Sequence, residues 1–404
     1  MKNKLRAFLV GAVTTTLLST TFLTAYAAPV KKTIPAIFNN IKIYVDGNLV
    51  KSKKSTNDSI QSLVYNDTRY IPLNTLSEIL KKEITWNKDK NSIYIGKVPH
   101  ENSKENTKKD IKEVTVSTAQ EFVDAIGSNK RILLKPGVYN LSKIKQIDRA
   151  DKSVTWEEVY DGKELNIKNV TNLTIEGTNS GKTKIIVSPR YAQIMNFNNV
   201  SNITIKNIIA GHAPQPYECD AGVLGFQNSS NIYLSGCTLY GCGSVGLHLF
   251  QVKEFDLIDS TVTDCSLRAI DINESQSIRF KRSKFTKHRA YSNIFFIMDS
   301  NFITFDDCTI SDNNNWQWNF METRNTPVIL IDNCTIKNNS KPKDNKDWYT
   351  EEKVCFFDTD RSNILIRNSI INNNSCDSFV KNKNEVTFEN CTIENNNFNK
   401  EESH

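Results

Sequence analysis

The sequence predicts an all-β protein: a right-handed parallel β-helix solenoid with an N-terminal capping helix, preceded by a small α+β stalk-like domain. Three observations predict the solenoid. A short pattern recurs along the C-terminal two-thirds of the chain, a column of small residues follows the repeats, and asparagine-rich turns separate them. We place the β-helix at residues 113–404.

The repeat is an apolar-x-apolar pair that is flanked by turns rich in Asn and Ser. Successive pairs are 30, 29, 23, 23, 25, 26, 35 and 22 residues apart. A minimum near 22 residues suits one winding of three short strands and three turns, whereas leucine-rich repeats would need recurrent Leu. The pairs begin at Leu173, Ile203, Ile232, Phe255, Ile278, Ile303, Ile329, Ile364 and Val386.

A mostly small residue lies five positions after the start of each pair, from the second pair onward. Stacked windings place like residues about 4.8 Å apart, so we expect an interior ladder that explains its cysteines without a redox role. Cys242 and Cys265 fall on adjacent windings, but parallel Cβ directions argue against a disulfide between them. The column is Ile208, Cys237, Ser260, Ser283, Cys308, Cys334, Ser369 and Cys391.

The entry to the solenoid has its own signature. Residues 118–126 have helical spacing with a Thr118 cap, and Pro136-Gly137-Val138-Tyr139 follows shortly after. A helix there would cover the open edge of the first winding. This helix with the Pro-Gly-x-Tyr string resembles the opening of pectate-lyase-like β-helix proteins. The resemblance implies the architecture and an outward groove for carbohydrate, and it supplies no catalytic string.

The N-terminus predicts export. Basic residues within the first six positions precede an apolar run and Ala25-Tyr26-Ala27, which fits a signal-peptidase site and a signal peptide at residues 1–27. No other apolar run approaches the length of a membrane span. We therefore expect a secreted or cell-wall-associated protein with no membrane span after cleavage.

The pattern of apolar residues predicts a small α+β domain at residues 38–96. The composition of residues 97–112 predicts a charged linker. Val45-Asp46-Gly47, residues 66–73 and Ile84-Thr85-Trp86-Asn87 resemble the stalk module called copper amine oxidase N-terminal-like. The resemblance implies a spacer. It does not imply copper or amine oxidation, because residues 38–96 contain no His and no Cys.

Charge and composition restrict the partners. The chain has 51 basic and 45 acidic residues, and the basic residues are scattered, which argues against nucleic acid. The expected partner is a polysaccharide or cell-wall glycan, and we expect a monomer.

One outward strand face is the predicted groove. The strand that begins eight residues before each pair should direct its second side chain outward, and insertions at residues 142–164, 210–221 and 341–352 should wall this face. Predicted substrate contacts are Arg190, Tyr191, His212, Glu218, Asp220, Asn273, Tyr291 and Arg324. The outward column is Asn166, Asn196, Gly225, His248, Asp271, Phe296, Glu322, Phe357 and Phe379.

Three chemistries remain open for this groove. A lyase would use His248 or Arg268 as the base that removes a proton next to a uronic carboxylate. A hydrolase would use Asp271 and Glu322, whose backbones should lie roughly 9 to 10 Å apart, nearer the inverting separation. Alternatively Asp220, Asp271 or Glu322 would hold Ca²⁺ against an acidic sugar.

A non-catalytic function is the rival hypothesis. The stalk-like domain would then space a β-helix that binds glycan, mediates adhesion or serves as a structural envelope protein. The absence of a clear acid and base pair in the sequence favours it. Glycan binding without turnover would distinguish it from an enzyme.

Overall fold

The computed structural model describes residues 111–398, apart from residues 216–218, 242, 290–291, 315–317 and 342–352, together with short strands between residues 37 and 95. The chain divides into two compact units, Met1–Asn106 and Thr107–His404. The predicted signal peptide and nearly all of the predicted linker lie outside the described residues.

The described strands of the first unit pair as antiparallel hairpins. Ile60–Tyr65 pairs with both Ile37–Ile41 and Thr68–Tyr70. Tyr44–Val45 pairs with Asn48–Leu49, and Ile84–Asn87 pairs with Ser92–Ile95. Residues 75–82, whose Leu76, Ile79 and Leu80 have helical spacing in the sequence, lie outside the described residues, and the stalk resemblance stays a prediction.

The second unit is a right-handed parallel β-helix, as predicted, in which the described strands form three long sheets. The pair-starts from Leu173 to Val386 align in unbroken parallel register along the first sheet. Its strands are Lys112–Val116, Lys130–Leu134, Thr171–Gly177, Ser201–Lys206, Ser230–Ser235, Lys253–Ile258, Gln276–Lys281, Asn301–Asp306, Ile329–Asp332, Ile364–Arg367 and Val386–Glu389.

The second and third sheets complete each winding. The second sheet contains Gly137–Asn140, Thr183–Val187, Ile209–His212, Thr238–Tyr240, Thr261–Thr263, Lys284–Thr286, Thr309–Ser311, Thr335–Lys337, Ile370–Asn372 and Thr392–Glu394. The third contains Val154–Val159, Gly162–Lys168, Met195–Asn198, Leu224–Gln227, Val245–Phe250, Arg268–Asn273, Phe295–Met298, Met321–Arg324, Cys355–Asp360 and Ser378–Val380. Ser375–Cys376 also pairs with Asn397–Phe398.

The capping helix is confirmed at Ala119–Ala125, and a 3-10 turn follows at Leu141–Lys143. Its capping box joins the Glu121 amide to Thr118 Oγ1 at 3.2 Å and the Thr118 amide to Glu121 Oε2 at 3.1 Å. Phe122 lies on the buried face of this helix. Within the described part of the chain, no helix has the length and apolarity needed to cross a bilayer.

Interior ladders join the windings. The small-residue column is confirmed, since the Cys237 amide donates to Ser260 Oγ at 3.0 Å and the Cys334 amide to Ser369 Oγ at 3.0 Å. Burial raises the pKa of the Cys237 thiol to about 11. Cys265 is a free buried thiol, so it forms no bridge to Cys242, which lies outside the described residues, while Cys219 is disulfide-bonded.

The outward column is confirmed from Asn166 to Glu322 and is wrong at its last two members. Glu322 aligns with Asp358, whereas Phe357 aligns with Met321 and then with Val380 and is buried. The turn before Ile364 is one residue shorter than the turn before Ile329, so the fixed count misses by one. Phe379 is displaced with it and stacks on Phe388, with ring centroids 5.3 Å apart. Burying Phe357 is favoured because exposing its ring would forfeit about 2 kcal/mol of apolar transfer free energy.

The first insertion also differs from its prediction as a loop. Val154–Val159 pairs antiparallel with Gly162–Lys168 and extends the third sheet by one strand. Only the remainder of the insertion is irregular. This hairpin forms the N-terminal edge of the predicted groove.

A buried asparagine ladder, headed by His288, carries a pH prediction. The side-chain amide of Asn313 donates to Asn339 Oδ1 at 2.8 Å and to Phe285 O at 3.2 Å. His288 Nδ1 accepts from the Cys265 amide at 3.1 Å, and burial lowers its pKa to about 3 against a smaller opposing contribution from the Val262 backbone. Protonation of His288 at acidic pH therefore opposes folding.

We expect His288→Asn to make the protein more acid-resistant. The folded pKa lies below the unfolded value, so stability that is present above about pH 6.5 is lost as the pH falls towards the folded pKa. For His288 that loss is about 2 kcal/mol between pH 7 and pH 5. Val262 aligns with Phe285, so an asparagine at position 288 would donate to Val262 O as Asn313 does to Phe285 O. Urea unfolding at both pH values checks this, and equal acid sensitivity of the two proteins would contradict it.

Candidate functional site

The outward face of the third sheet forms the floor of the predicted groove. Side chains along each strand of this sheet point alternately into the core and outward. Leu247 and Leu249 are buried inside, while His248 between them faces outward. Asn196, Gly225, His248 and Asp271 occupy consecutive windings in direct register. Neighbouring members are therefore about 4.8 Å apart along the floor.

Glu164 is a buried carboxyl group at the N-terminal end of this floor. It lies two residues before Asn166 on Gly162–Lys168, so both face the same way. The backbone amide of Gln193 donates to Glu164 Oε2 at 2.7 Å, and the side-chain amide of Asn196 donates to Glu164 Oε1. Burial, with a further contribution from the Glu157 charge, raises the pKa of Glu164. Glu164 therefore keeps its proton to a higher pH than an exposed glutamate does, although its hydrogen bonds from Gln193 and Asn196 oppose this shift.

Two amide oxygens converge over Gly225 next to this carboxyl group. A Cβ at Gly225 would lie 2.3 Å from Asn196 Oδ1 and 2.8 Å from Gln193 Oε1, so the absent side chain makes room for both oxygens. Both oxygens are buried, and neither has a hydrogen-bond partner in the described part of the chain. Buried acceptors that lack a donor are costly, and a ligand hydroxyl would satisfy them.

His248 lies on the other side of Gly225, one winding further along. It is half-buried, and within the described residues its imidazole makes no hydrogen bond or ion pair. A neutral imidazole without a partner can accept a proton from a ligand. We call Glu164, Gln193, Asn196, Gly225 and His248 the Gly225 cluster.

Arg190, Tyr191 and Asp220 form a wall beside the cluster. The backbone amides of Arg190 and Tyr191 donate to the Asp161 carboxylate at 2.6 and 3.1 Å. The Asp220 amide donates to Arg190 O at 2.9 Å. A hydrogen bond to the Asp220 carboxylate raises the pKa of Tyr191, which is exposed and packs its ring edge on Tyr160 at 5.2 Å. The wall thus presents aromatic rings beside acidic and basic groups.

Arg268 and Asp271 form an ion pair one winding beyond His248. Asn273 also donates to Asp271 Oδ1 at 2.8 Å, and the Arg268 guanidinium lies 4.4 Å from the centre of the Phe296 ring. Both oxygens of Asp271 are therefore occupied. Asn273 Oδ1 is buried without a partner.

Glu322, Arg324 and Asp358 form a second ion-pair group further along the floor. Arg324 donates to both oxygens of Asp358 at 3.1 and 3.0 Å and contacts Glu322 Oε1 at 2.9 Å. Asn293 donates to Glu322 Oε2 at 2.6 Å. We call Arg268, Asp271, Glu322, Arg324 and Asp358 the ion-pair network. Its carboxylates and arginines satisfy one another, and Phe296 separates Asp271 from Glu322.

His212 does not face the groove. Its side chain is 1% exposed, its Nε2 lies 2.9 Å from Ala192 O, and burial lowers its pKa. We therefore leave His212 out of the proposed substrate contacts. Glu218 and Tyr291 lie outside the described residues.

Ca²⁺ binding stays a prediction. Among the described residues, no group of three or more His, Cys, Asp or Glu side chains is arranged to hold a metal ion. Asp271 accepts from Arg268 and Asn273, and Asp220 accepts from Tyr191. Glu322, the third predicted ligand, accepts from Asn293 and contacts Arg324. The three predicted ligands are thus engaged with different partners, and we carry no step through a metal.

We expect Gly225→Ala to impair glycan binding while leaving the fold intact. The added methyl group would displace the flexible ends of Asn196 and Gln193, so the expected loss of stability is below about 1.5 kcal/mol. Loss of two acceptors should weaken binding by roughly tenfold or more. Gly127→Ala is the control, because its Cβ would make only ordinary contacts with Lys130. Calorimetric titration and thermal unfolding of both variants check this, and unchanged binding by Gly225→Ala would contradict it.

Comparison with known proteins identifies the class of protein. The family described as right handed beta helix region matches residues 158–313 and 290–400, which is more than half of the chain. The chain therefore belongs to the right-handed β-helix family. No curated protein sequence matches it.

Several solved structures share the fold at low identity. An alginate lyase from Paenibacillus sp. str. FPU-7 is 9% identical, with 71% of this chain and 97% of that chain covered and a TM-score of 0.45. The surface adhesin PfbA of Streptococcus pneumoniae is 10% identical, with coverage of 67% and 70% and a TM-score of 0.40. The A-module of mannuronan C-5 epimerase AlgE6 from Azotobacter vinelandii is 14% identical, with coverage of 68% and 80% and a TM-score of 0.37. Likenesses this distant carry no argument about activity.

Proposed function

We propose that this protein is an exported polysaccharide lyase that binds a uronate-containing glycan along the third sheet and cleaves it at the Gly225 cluster. The observation that carries the proposal is the juxtaposition at Gly225. A buried carboxyl group with a raised pKa, two acceptor oxygens and an imidazole lie there on four consecutive windings, and among the described residues the two oxygens and the imidazole have no hydrogen-bond partner. The signal-peptide-like N-terminus supports export, and the stalk-like domain would space the β-helix from a surface.

The cluster supports elimination better than hydrolysis. Glycoside hydrolysis commonly needs two carboxyl groups across the scissile bond, and the two predicted for it, Asp271 and Glu322, are held in the ion-pair network. In the Gly225 cluster the candidate acid and base are of different kinds, since Glu164, with Glu157 opposite it, lies at one end and His248 lies three windings further along. In the proposed reaction His248 removes the proton next to the uronate carboxyl group, a carbon–carbon double bond forms, the glycosidic carbon–oxygen bond breaks, and Glu164 donates its proton to the leaving oxygen.

The wall and the unpartnered oxygens support glycan binding. Asn196 Oδ1 and Gln193 Oε1 would accept from sugar hydroxyls, and the exposed Tyr191 ring offers a face for stacking on a sugar ring. Arg190 lies beside this ring and is suited to a uronate carboxylate. The substrate would then run from the Val154–Val159 edge across Gly225 towards Asp271.

A panel of uronate polymers and neutral polysaccharides tests the proposal with the full mature chain. We expect absorbance from unsaturated chain ends with at least one uronate polymer, in step with new reducing ends. Reducing ends without unsaturation would indicate hydrolysis instead. Absence of both products on the whole panel would contradict cleavage.

The alternative function is glycan binding without turnover. The ion-pair network favours it, because the acidic and basic groups along half of the floor are already satisfied by one another. Tight binding of a polymer that yields no product would establish this alternative. In that case the Gly225 cluster would serve only to accept sugar hydroxyls.

A further inference from the structure

A cavity opens on the outward face of the first sheet. The proposed groove lies on a different sheet, the third. The cavity has a volume of about 390 Å³, within the range of small-molecule sites. Tyr233, Asp256, Arg279 and Thr304 lie on four consecutive windings along its floor, and Phe302 is on its rim. The floor therefore spans roughly 14 Å along the axis of the solenoid.

The cavity begins where a surface ladder of asparagines ends. Side-chain amides join Asn129, Asn172, Asn202 and Asn231 from winding to winding at 2.9, 2.9 and 2.5 Å. The next three positions of the same turn hold Glu254, Ser277 and Phe302, and all three line the cavity. The asparagine ladder therefore stops at the cavity, whereas the left-handed backbone of the turn continues through Glu254, Ser277 and Phe302.

Phe302 is placed at the rim at a conformational cost. Its φ is 56°, a left-handed conformation that asparagine tolerates and a bulky residue rarely adopts, and its side chain is 50% exposed. The preceding positions of this turn, Glu254 and Ser277, share the left-handed φ at 62° and 61°, so the conformation belongs to the turn and the unusual feature of position 302 is its aromatic ring. An exposed ring beside a cavity offers a face on which a ligand can stack.

The floor of the cavity offers planar polar groups without net charge. Arg279 Nε and a second guanidinium nitrogen donate to the two oxygens of Asp256, both at 2.8 Å. This pairing fixes both planes and leaves the remaining donor and acceptor positions open to the cavity. Tyr233 continues the floor, and the Lys206 ammonium lies 5.7 Å from its ring centre.

We propose that this cavity is a second, non-catalytic saccharide site that binds neutral sugar units. Sugar rings would stack on Phe302 and Tyr233, and their hydroxyls would hydrogen-bond to the Asp256 and Arg279 pair. A neutral ligand fits because the Asp256 and Arg279 pair cancels its own charge, and the Glu254 carboxylate on the lining would repel an acidic sugar. The site is independent of the groove, and a polymer held here would stay at high effective concentration near the third sheet.

Binding without cleavage tests this site separately from the proposed function. The full mature chain carrying Glu164→Gln is titrated calorimetrically with cellotetraose, mannotetraose and xylotetraose, with trigalacturonate as the charged probe. We expect a neutral tetrasaccharide to bind and Phe302→Asn to weaken its binding roughly tenfold. Tyr233→Thr, which places the residue found at position 204 of the same column, should weaken it similarly.

Stability of the same variants separates a binding role from a structural one. Phe302→Asn should raise the thermal midpoint, because asparagine tolerates the left-handed conformation better than phenylalanine does. Ile370→Thr is the control, since Ile370 is an equally exposed apolar residue on another sheet and aligns with two threonines; it should leave binding unchanged. The proposal is overturned if no neutral probe binds, if Phe302→Asn binds as tightly as its parent, or if Phe302→Asn is less stable than its parent. None of these outcomes depends on cleavage.

Discussion

Glu164→Gln and His248→Ala should each lower the turnover of a uronate polymer by roughly 10² to 10⁴-fold, the contribution of a positioned acid or base. Glutamine keeps an oxygen that can accept from the Gln193 amide, but it has no acidic proton to donate. Alanine at position 248 removes the only imidazole in register with Gly225 in the described third sheet. Initial rates of unsaturated-end formation measure both effects.

The pH profile adds a readout that a structural role would not produce. Because the pKa of Glu164 is raised and its protonated form is the donor, wild-type turnover should fall as the pH rises through that pKa. The Glu164→Gln variant should lack this decline. Glu176→Gln is the matched control, because Glu176 pairs with Arg131 on the first sheet, away from the groove. Wild-type rates in both groove variants would exclude the Gly225 cluster as the reaction centre.

Arg324→Gln should destabilise the protein by about 3 kcal/mol, because it leaves a buried carboxylate without its main partner. Asp358 is 2% exposed and accepts two hydrogen bonds from Arg324, while Glu322 loses its contact with the same guanidinium. Lys381 and Asn319 remain near Asp358 at 3.2 and 2.6 Å, so the fold should survive. Denaturant unfolding at neutral pH measures the loss.

Arg282→Gln supplies the comparison for an exposed ion pair. Arg282 contacts Asp259 at 2.6 Å, but both side chains are about half exposed, and water screens such pairs so that they contribute little to stability. The predicted result is therefore a clear difference between the two substitutions. Equal losses would show that the ion-pair network contributes no more than a surface pair.

The fold could be predicted in detail because its determinants are local and repeated. Each winding carries its own apolar pair, small interior residue and turn, and neighbouring windings align them, so the pair-starts from Leu173 to Val386 define the register directly. The capping helix could also be predicted, because its N-terminal cap, Thr118, is visible in the sequence. Only a turn shortened by one residue, after Asp358, broke the counting rule and hid a buried carboxylate.

The candidate site could be predicted only in part, because the sequence repeat shows which residues share a face but not which side chains form ion pairs. Spacing placed His248, Asp271 and Glu322 on one face, but it gave no sign that Arg268 and Arg324 would satisfy the carboxylates. Glu164 was missed because the first insertion was interpreted as a loop. Its position two residues before Asn166 was the available signal, since alternate residues of a strand share a face. His212 was misleading because its strand turns the ring into the interior.

The stacked interior thiols affect how this protein must be produced. In the folded chain Cys237, Cys308 and Cys334 are shielded from oxidants, whereas Cys219 is already cross-linked. A denatured chain exposes every one of these sulfurs to air, and thiolates that meet at random form mispaired bonds. Recovery from inclusion bodies should therefore demand a glutathione buffer that reshuffles wrong bonds, and yield should fall sharply when renaturation is attempted in aerated solution alone.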